Sequence, residues 1–372
     1  EPRFSATLLP ALAGAAASRD APYVLIVDDC HLLTDDRCQR ILEVVADAIP
    51  AGSRLALASR ERLDELAQGL RLQFEQARGL LVLLREEREL APLRRELKQM
   101  AELGVPFHLV DRATCHAIEP GLNPETPLHA GIHLTQGGVG NCREFALRLK
   151  GEAQRLGAQF ELQQEVRAID GSGNALQLQL AATDAAGAAA AACSFDAVVV
   201  CAAMGALPLL RPLGVRLPMQ PVAGYSITLP LRIIEGHPEF GPQAGLIDRR
   251  HQVVISRIGQ RVRISGGSEL GGSAHKLSES ALTQLYCVLH DWFPGVAGGS
   301  RGQQWQGARP TLPDGMPLIG ASARPGVWLN LGHGGNGWGL ACGSARLIAD
   351  AIAGRDAMLD STPFALDRFS RR

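Results

Sequence analysis

The chain has 372 residues, 46% of them hydrophobic, with 37 Lys+Arg against 38 Asp+Glu for a formal charge of −1. At roughly 150 residues per domain, that length allows two or three domains with real cores. The neutral balance excludes binding driven by phosphate attraction, the apolar content excludes a disordered tail, and no apolar run reaches the ~18–20 residues of a membrane span.

An apolar stretch at Ala6–Ala17 lacks the basic n-region of a signal peptide, and Glu rather than Met at position 1 suggests that the natural chain begins upstream. From Tyr23, YVLIVDD reads as a strand ending in two acids. A helical pattern follows over Asp35–Ile49, with Cys38, Ile41, Leu42, Val45 and Ile49 on one face, and then the strand RLALAS over Arg54–Ser59. Together they make a β-α-β unit, the building block of parallel sheets. Amphipathic helices over Arg60–Gly69 and Leu93–Leu103 bracket a strand within Gln73–Leu84, so the pattern turns to mixed α+β.

Past the Pro-rich stretch Glu119–Pro127, a strand leads through the Gly-rich turn GGVGNC into a helix of about four turns. Asn141 is its expected N-cap, with Glu144 at capping-box spacing. A hairpin over Phe160–Leu180 and an alanine-rich spacer precede FDAVVVCAA, an apolar strand whose small-residue end suits a buried parallel strand meeting a ligand or another backbone. More strands fill Met219–Ser268, and a helix spans Ser278–Phe293. The chain closes with a strand over Val327–Leu331, a loop over Gly332–Gly339 and a helix over Leu340–Ala353. The eight cysteines (Cys30, Cys38, Cys115, Cys142, Cys193, Cys201, Cys287, Cys342) form no C-x-x-C pair or zinc-spaced cluster, which suits reduced thiols and no metal.

Chemistry concentrates in few places. Five glycines in GHGGNGWG let a flat or phosphorylated ligand approach backbone, and the helix that follows offers free N–H groups and partial positive charge. A ligand-free turn is the alternative. In GARPTLPDGMPLIG, Arg309 precedes a Pro and a Pro-Asp-Gly turn; its planar fork suits a substrate carboxylate, with a structural ion pair as the other reading. Tyr225 in PVAGYSITL could line a pocket or pack across strands.

Six collinear blocks resemble flavin-dependent amino-acid oxidoreductases, most closely the bacterial D-amino-acid dehydrogenases. They are GVPFHLVDR (Gly104–Arg112), EPGL (Glu119–Leu122), GGVGNC (Gly137–Cys142), RPLGVRLPMQPVAGYSITLP (Arg211–Pro230), GARPTLPDGMPLIG and NLGHGGNGWGLACGS. The resemblance runs from about Arg60 to Gly354. It implies an α/β protein: a Rossmann-like FAD-binding domain assembled from discontinuous segments (131–217 and 311–372), plus an α+β substrate domain with an antiparallel sheet (60–130 and 218–310). It further implies hydride transfer from the α-carbon of a D-amino acid to FAD, leaving a 2-oxo acid and ammonia. By the same resemblance Arg309 grips the substrate carboxylate; Tyr225, singled out from the residues alone, is kept as a second active-site candidate. Gly332, His333, Gly334, Gly335, Asn336 and Gly337 lie against the flavin, Ala202 and Gly205 pass close to it, and the backbone of Val166 meets its adenine end. No metal or nucleic acid is implied. The partners are an amino-acid substrate and a quinone or electron-transfer acceptor; a cytoplasmic location follows, and the quinone pool allows a peripheral contact with the inner membrane.

The opening segment departs from this pattern. The family's G-x-G-x-x-G fingerprint is absent before Arg60, and VDDCHLLTDD stands where its glycines belong. Residues 20–59 instead resemble the Walker-B region of LuxR/MalT-type regulators, in which Asp28 and Asp29 would serve Mg²⁺ and ATP, yet the Walker-A loop is missing as well. The unit over 1–59 thus has foreign character, with Glu61 near the place of a ribose-binding acid. Two rival readings follow: a non-catalytic fused or truncated remnant, and a nucleotide-binding fragment of a regulator.

Overall fold

The computed structural model describes residues 63–369 except 103, 174, 183–190, 233, 235–239, 271–276, 298–301 and 358. The expected β-α-β unit over Tyr23–Ser59, with Asp28, Asp29 and Glu61, lies outside the described residues.

A helix over 63–69 (α1) packs Leu63 and Leu66 toward Phe145 and Cys342. Strand β1 (Gln76–Leu84), helix α2 (Arg94–Glu102), strand β2 (His108–Asp111), helix α3 (Arg112–Ile118) and strand β3 (Ala130–Gly140) follow, and then helix α4 (Cys142–Arg155). Asn141 caps α4 as expected, its Oδ1 accepting from Glu144 N at 3.2 Å. The reciprocal arm of the capping box is absent, because the Glu144 carboxylate accepts instead from Glu75 N at 2.8 Å. Glu75 is thereby tied to both residues, since Asn141 Nδ2 also donates to its carboxylate.

Strands β4 (Gln164–Asp170), β5 (Leu176–Ala182) and β6 (Ala191–Phe195) form an antiparallel meander. After β7 (Val198–Val200) and the short helix α5 (Ala206–Leu210) come β8 (Gln220–Pro230), β9 (Gly245–Asp248), β10 (Val253–Ile258) and β11 (Arg261–Leu270). Helix α6 (Glu279–Trp292), β12 (Gln303–Thr311), β13 (Leu318–Ala321), β14 (Val327–Leu331) and helix α7 (Gly337–Ile352) complete the order.

Eight strands join in one sheet, in the order β12-β8-β11-β10-β9-β1-β3-β2. All its pairings are antiparallel except β1 with β9. Residues 131–140, which the sequence reading placed in the cofactor part, form with Ala130 a strand of this sheet. Its partner β1 decides the matter, because an edge of unpaired N–H and C=O groups finds its ladder there. One face of the sheet is covered by α6, whose Leu282, Leu285, Val288, Leu289 and Trp292 meet Leu81, Ala223, Tyr225, Ile227, Leu246 and Ile255. Beneath this contact, Asp248 is fully buried and accepts from Arg85 Nη2 at 2.7 Å and Trp292 Nε1 at 2.7 Å.

A second core forms where β4, β5, β7, β14 and α5 meet, built on Ile169, Leu176, Val200, Leu210, Val327 and Leu329. Here β14 runs antiparallel to β13 and parallel to β7. The two parallel strands therefore end at the same edge, the edge at which α/β sheets present their ligand-binding loops.

Candidate active site

Arg309 stands near the end of β12, paired with Val222 of β8; in the same register Gly307 faces Gly224 and Trp305 faces Ser226. Since strand side chains alternate in direction, Arg309, Gly224 and Ser226 share one face of the large sheet. The guanidinium lies over Gly224, where an added Cβ would collide with it. It is held there by a 2.7 Å hydrogen bond from Nη1 to Gly267 O, with Ser268 Oγ at 3.5 Å. That carbonyl is available because β11 bulges between Gly266 and Glu269, freeing the backbone at Gly267 from the ladder.

Tyr225 belongs elsewhere. One residue beyond Gly224, it turns to the opposite face and packs in the core beneath α6. Its hydroxyl donates to Glu269 Oε2 at 2.7 Å, and burial with the nearby carboxylate pushes its pKa up to about 12. It therefore stays protonated and packs beneath α6, on the face of β8 opposite the one over which Arg309 lies, while its hydroxyl meets Glu269 of the same β11 bulge that holds Arg309.

The glycine-rich segment begins at the end of β14. Gly332 and Gly334 have positive φ of 73° and 56°, which only glycine adopts without strain. At Gly332 a Cβ would also collide with Leu312. The chain then coils at once, through a 3-10 turn at Gly334–Asn336 into α7 at Gly337. The helix thus starts inside the stretch read as loop, since glycine tolerates the first turn when packing against β14 and β13 holds it. Gly332, Gly334 and Gly337 have G-x-G-x-x-G spacing between a strand and a helix, a signal that the sequence reading sought only before Arg60.

His333 lies in this turn and its Nε2 hydrogen-bonds Ser344 Oγ of α7 at 2.9 Å. Burial pushes the imidazole down to about 4, so it is neutral at pH 7 and ties the loop to the helix. A backbone bridge between Thr311 and His333 joins the end of β12 to the same loop. The 3-10 turn at Ala203–Gly205, following Ala202 at the end of β7, also lies against β12. The fold therefore gathers Ala202, Gly205, Gly332–Gly337 and the strand that carries Arg309. Val166 is apart from them, on β4, packed at the rim of the second core.

Among the described residues no group of three or more His, Cys, Asp or Glu is placed to hold a metal, and no helix is long and apolar enough to cross a membrane. Two residues that shape the site escaped the sequence reading. Gly224 gave only the weak signal of a glycine inside a strand, and Gly267 that of a Gly-Gly pair before a bulge.

The family described as FAD dependent oxidoreductase matches residues 12–351. The chain belongs to this family. It is accordingly an FAD-dependent oxidoreductase of α/β class. It is similar to the D-amino acid dehydrogenase of Rhizorhabdus wittichii, at 37% identity over 319 residues, 85% of this chain and 74% of the relative. With the D-amino acid dehydrogenase of Bradyrhizobium diazoefficiens it shares 34% over 274 residues, 73% of this chain and 62% of the relative. The chain thus spans about two thirds of the length of these relatives. Among solved structures, glycine oxidase from Geobacillus kaustophilus superimposes with a TM-score of 0.75 at 23% identity, covering 87% of this chain and 85% of that one. L-proline dehydrogenase from P. horikoshii gives 0.72 at 18%, covering 86% and 84%. These likenesses show the fold.

The described residues fit the ring end of FAD. Glycine leaves backbone open where a flat ring must approach: an added Cβ at Gly339 would meet nothing within 4 Å, and at Gly337 only His333 Cβ at 3.6 Å. Asn330, two residues before Gly332, keeps a buried Oδ1 that has no partner among the described residues.

Proposed function

We propose that this chain oxidises D-amino acids, with Arg309 holding the substrate carboxylate and the Gly332–Gly337 turn holding the flavin ring. The observation that carries the reading is the Thr311–His333 bridge, which fixes the arginine-bearing strand against the glycine-rich turn. The names of the curated relatives support the D-amino acid as substrate.

Bound flavin would accept the hydride leaving the α-carbon. The amine loses a proton as the C=N bond forms, and water then releases the 2-oxo acid and ammonia. The chain's own contribution is placement. Arg309 meets the carboxylate with two parallel N–H donors, which orients the α-hydrogen. The N-terminus of α7 lends partial positive charge to the ring end of the site. His333 is neutral and already bonded to Ser344, so it positions the turn rather than taking a proton. Electrons leaving the site go to a quinone or another electron-transfer acceptor.

The first 62 residues contain neither G-x-G-x-x-G nor G-x-x-x-x-G-K-[ST], so retention of FAD is the deciding measurement. After incubation with excess FAD and removal of unbound cofactor, we expect near-stoichiometric flavin absorbance and dye reduction driven by D- but not L-amino acids. A folded, flavin-free protein would instead establish the remnant reading.

A further inference from the structure

The sheet face that carries Arg309 carries two further cations, Arg261, which is ion-paired with Glu75 at 2.6 Å, and Arg263. Arg263 of β11 pairs with Thr228 of β8, so it points to the same side as Gly224 and Ser226. Its Nη2 donates to Ser226 Oγ at 3.0 Å, and the serine is 2% exposed. The guanidinium is half-buried, yet no carboxylate lies within ion-pair distance of it among the described residues. None of the paired residues that β8, β10, β11 and β12 turn to this side is Asp or Glu. A half-buried cation without a counter-charge bears a desolvation cost that a bound anion would offset.

Its position relative to Arg309 follows from the register. Arg309 lies over Gly224 and Arg263 reaches Ser226, two residues further along the same face of β8, about 7 Å at the rise of an extended strand. Trp305, paired with Ser226, bends its exposed indole along β12 over Gly307 and walls the spot on that side. Two guanidinium groups at this separation match two carboxylates joined by a few methylenes.

We infer that Arg263, held by Ser226, forms a second anion subsite that receives the side-chain carboxylate of an acidic amino acid while Arg309 holds the α-carboxylate. The inference rests on the proposed role of Arg309 and narrows the substrate class to dicarboxylic amino acids. Each charge-assisted hydrogen bond of this type is worth a factor of about 10 to 100 in affinity.

Calorimetric titration of the purified chain with glutarate and with butyrate tests it without relying on turnover. We expect glutarate to bind about 10- to 100-fold more tightly, a preference that Arg263→Gln reduces to within about threefold and Arg263→Lys partly restores. Ser226→Ala, which keeps the charge but frees the side chain, should lower the preference by a smaller factor, and thermal melting confirms that each variant is folded. Equal binding of the two acids by the wild type, or a preference that survives Arg263→Gln, would overturn the subsite. The dye-reduction panel separates the two ideas. Turnover of D-alanine with no Arg263-dependent glutarate preference removes the subsite alone; an Arg263-dependent preference without any turnover removes the proposed reaction alone.

Discussion

At the scale of single residues, function at this site depends on where two planar groups can lie. Arg309 was legible in the sequence because an arginine fixed before a Pro-Asp-Gly turn suits carboxylate binding. Its resting place over Gly224 was not, because a strand glycine gains meaning only when the strand beside it is known. Arg309→Ala should raise the apparent KM for the amino acid by about 10- to 100-fold while flavin content stays unchanged. Loss of flavin in that variant would mean that Arg309 supports the cofactor instead. Gly224→Val suits a strand, yet its side chain would displace the guanidinium. Steady-state kinetics should therefore show a rise in KM like that of Arg309→Ala, from a variant that remains folded. Tyr225 makes the converse point: the sequence left it between a pocket and a packing role, and one residue of register places it on the opposite face of β8, in the core.

Elements show a similar division. Most strands and helices could be read from periodicity, and Asn141 was recognisable as a cap. What sequence spacing could not reveal was competition for Glu144, whose carboxylate is taken by Glu75 N across the start of β1. The cap thus fastens α4 to the sheet as well as ending the helix. Asn141→Ala should lower unfolding stability by about 1–2 kcal/mol, measurable as a reduced urea midpoint. The bulge of β11 and the early start of α7 escaped because both are decided by neighbours: Arg309 takes the carbonyl that the bulge releases, and β13 and β14 hold a glycine-rich first turn helical.

For the whole molecule, the buried Asp248 ties β9, β1 and α6 into one core. Burial alone would raise its pKa, but hydrogen bonds from His251 and the Arg85 guanidinium outweigh that and hold it down at about 2. A lowered carboxylate contributes stability that is present above its unfolded value near 3.9 and is lost as pH falls toward 2. His333 acts earlier. Its imidazole is held at about 4, so the unfolded chain takes up the proton first and stability declines as pH falls from roughly 6.5 to 4. Thermal melting across this range should therefore show two acid-sensitive windows. His333→Asn should flatten the upper one and leave the lower in place, whereas an unchanged upper window would show that another group titrates there.

The sequence by itself determined the alternation of strands and helices, the glycine-rich turn before the last long helix, the arginine suited to a carboxylate, and the family. The family is carried by the six collinear motif blocks, and the other features by local periodicity and by residue types whose chemistry does not depend on context. Tertiary structure decided which faces those residues share. It put Ala130–Gly140 in the large sheet, turned Tyr225 into the core, set Arg309 over Gly224 beside the turn at Gly332, and left Arg263 on the same face without an acid. The physical reason is register. A pairing shift of one residue exchanges the two faces of a strand, and pairing is chosen by contacts between segments far apart in the chain.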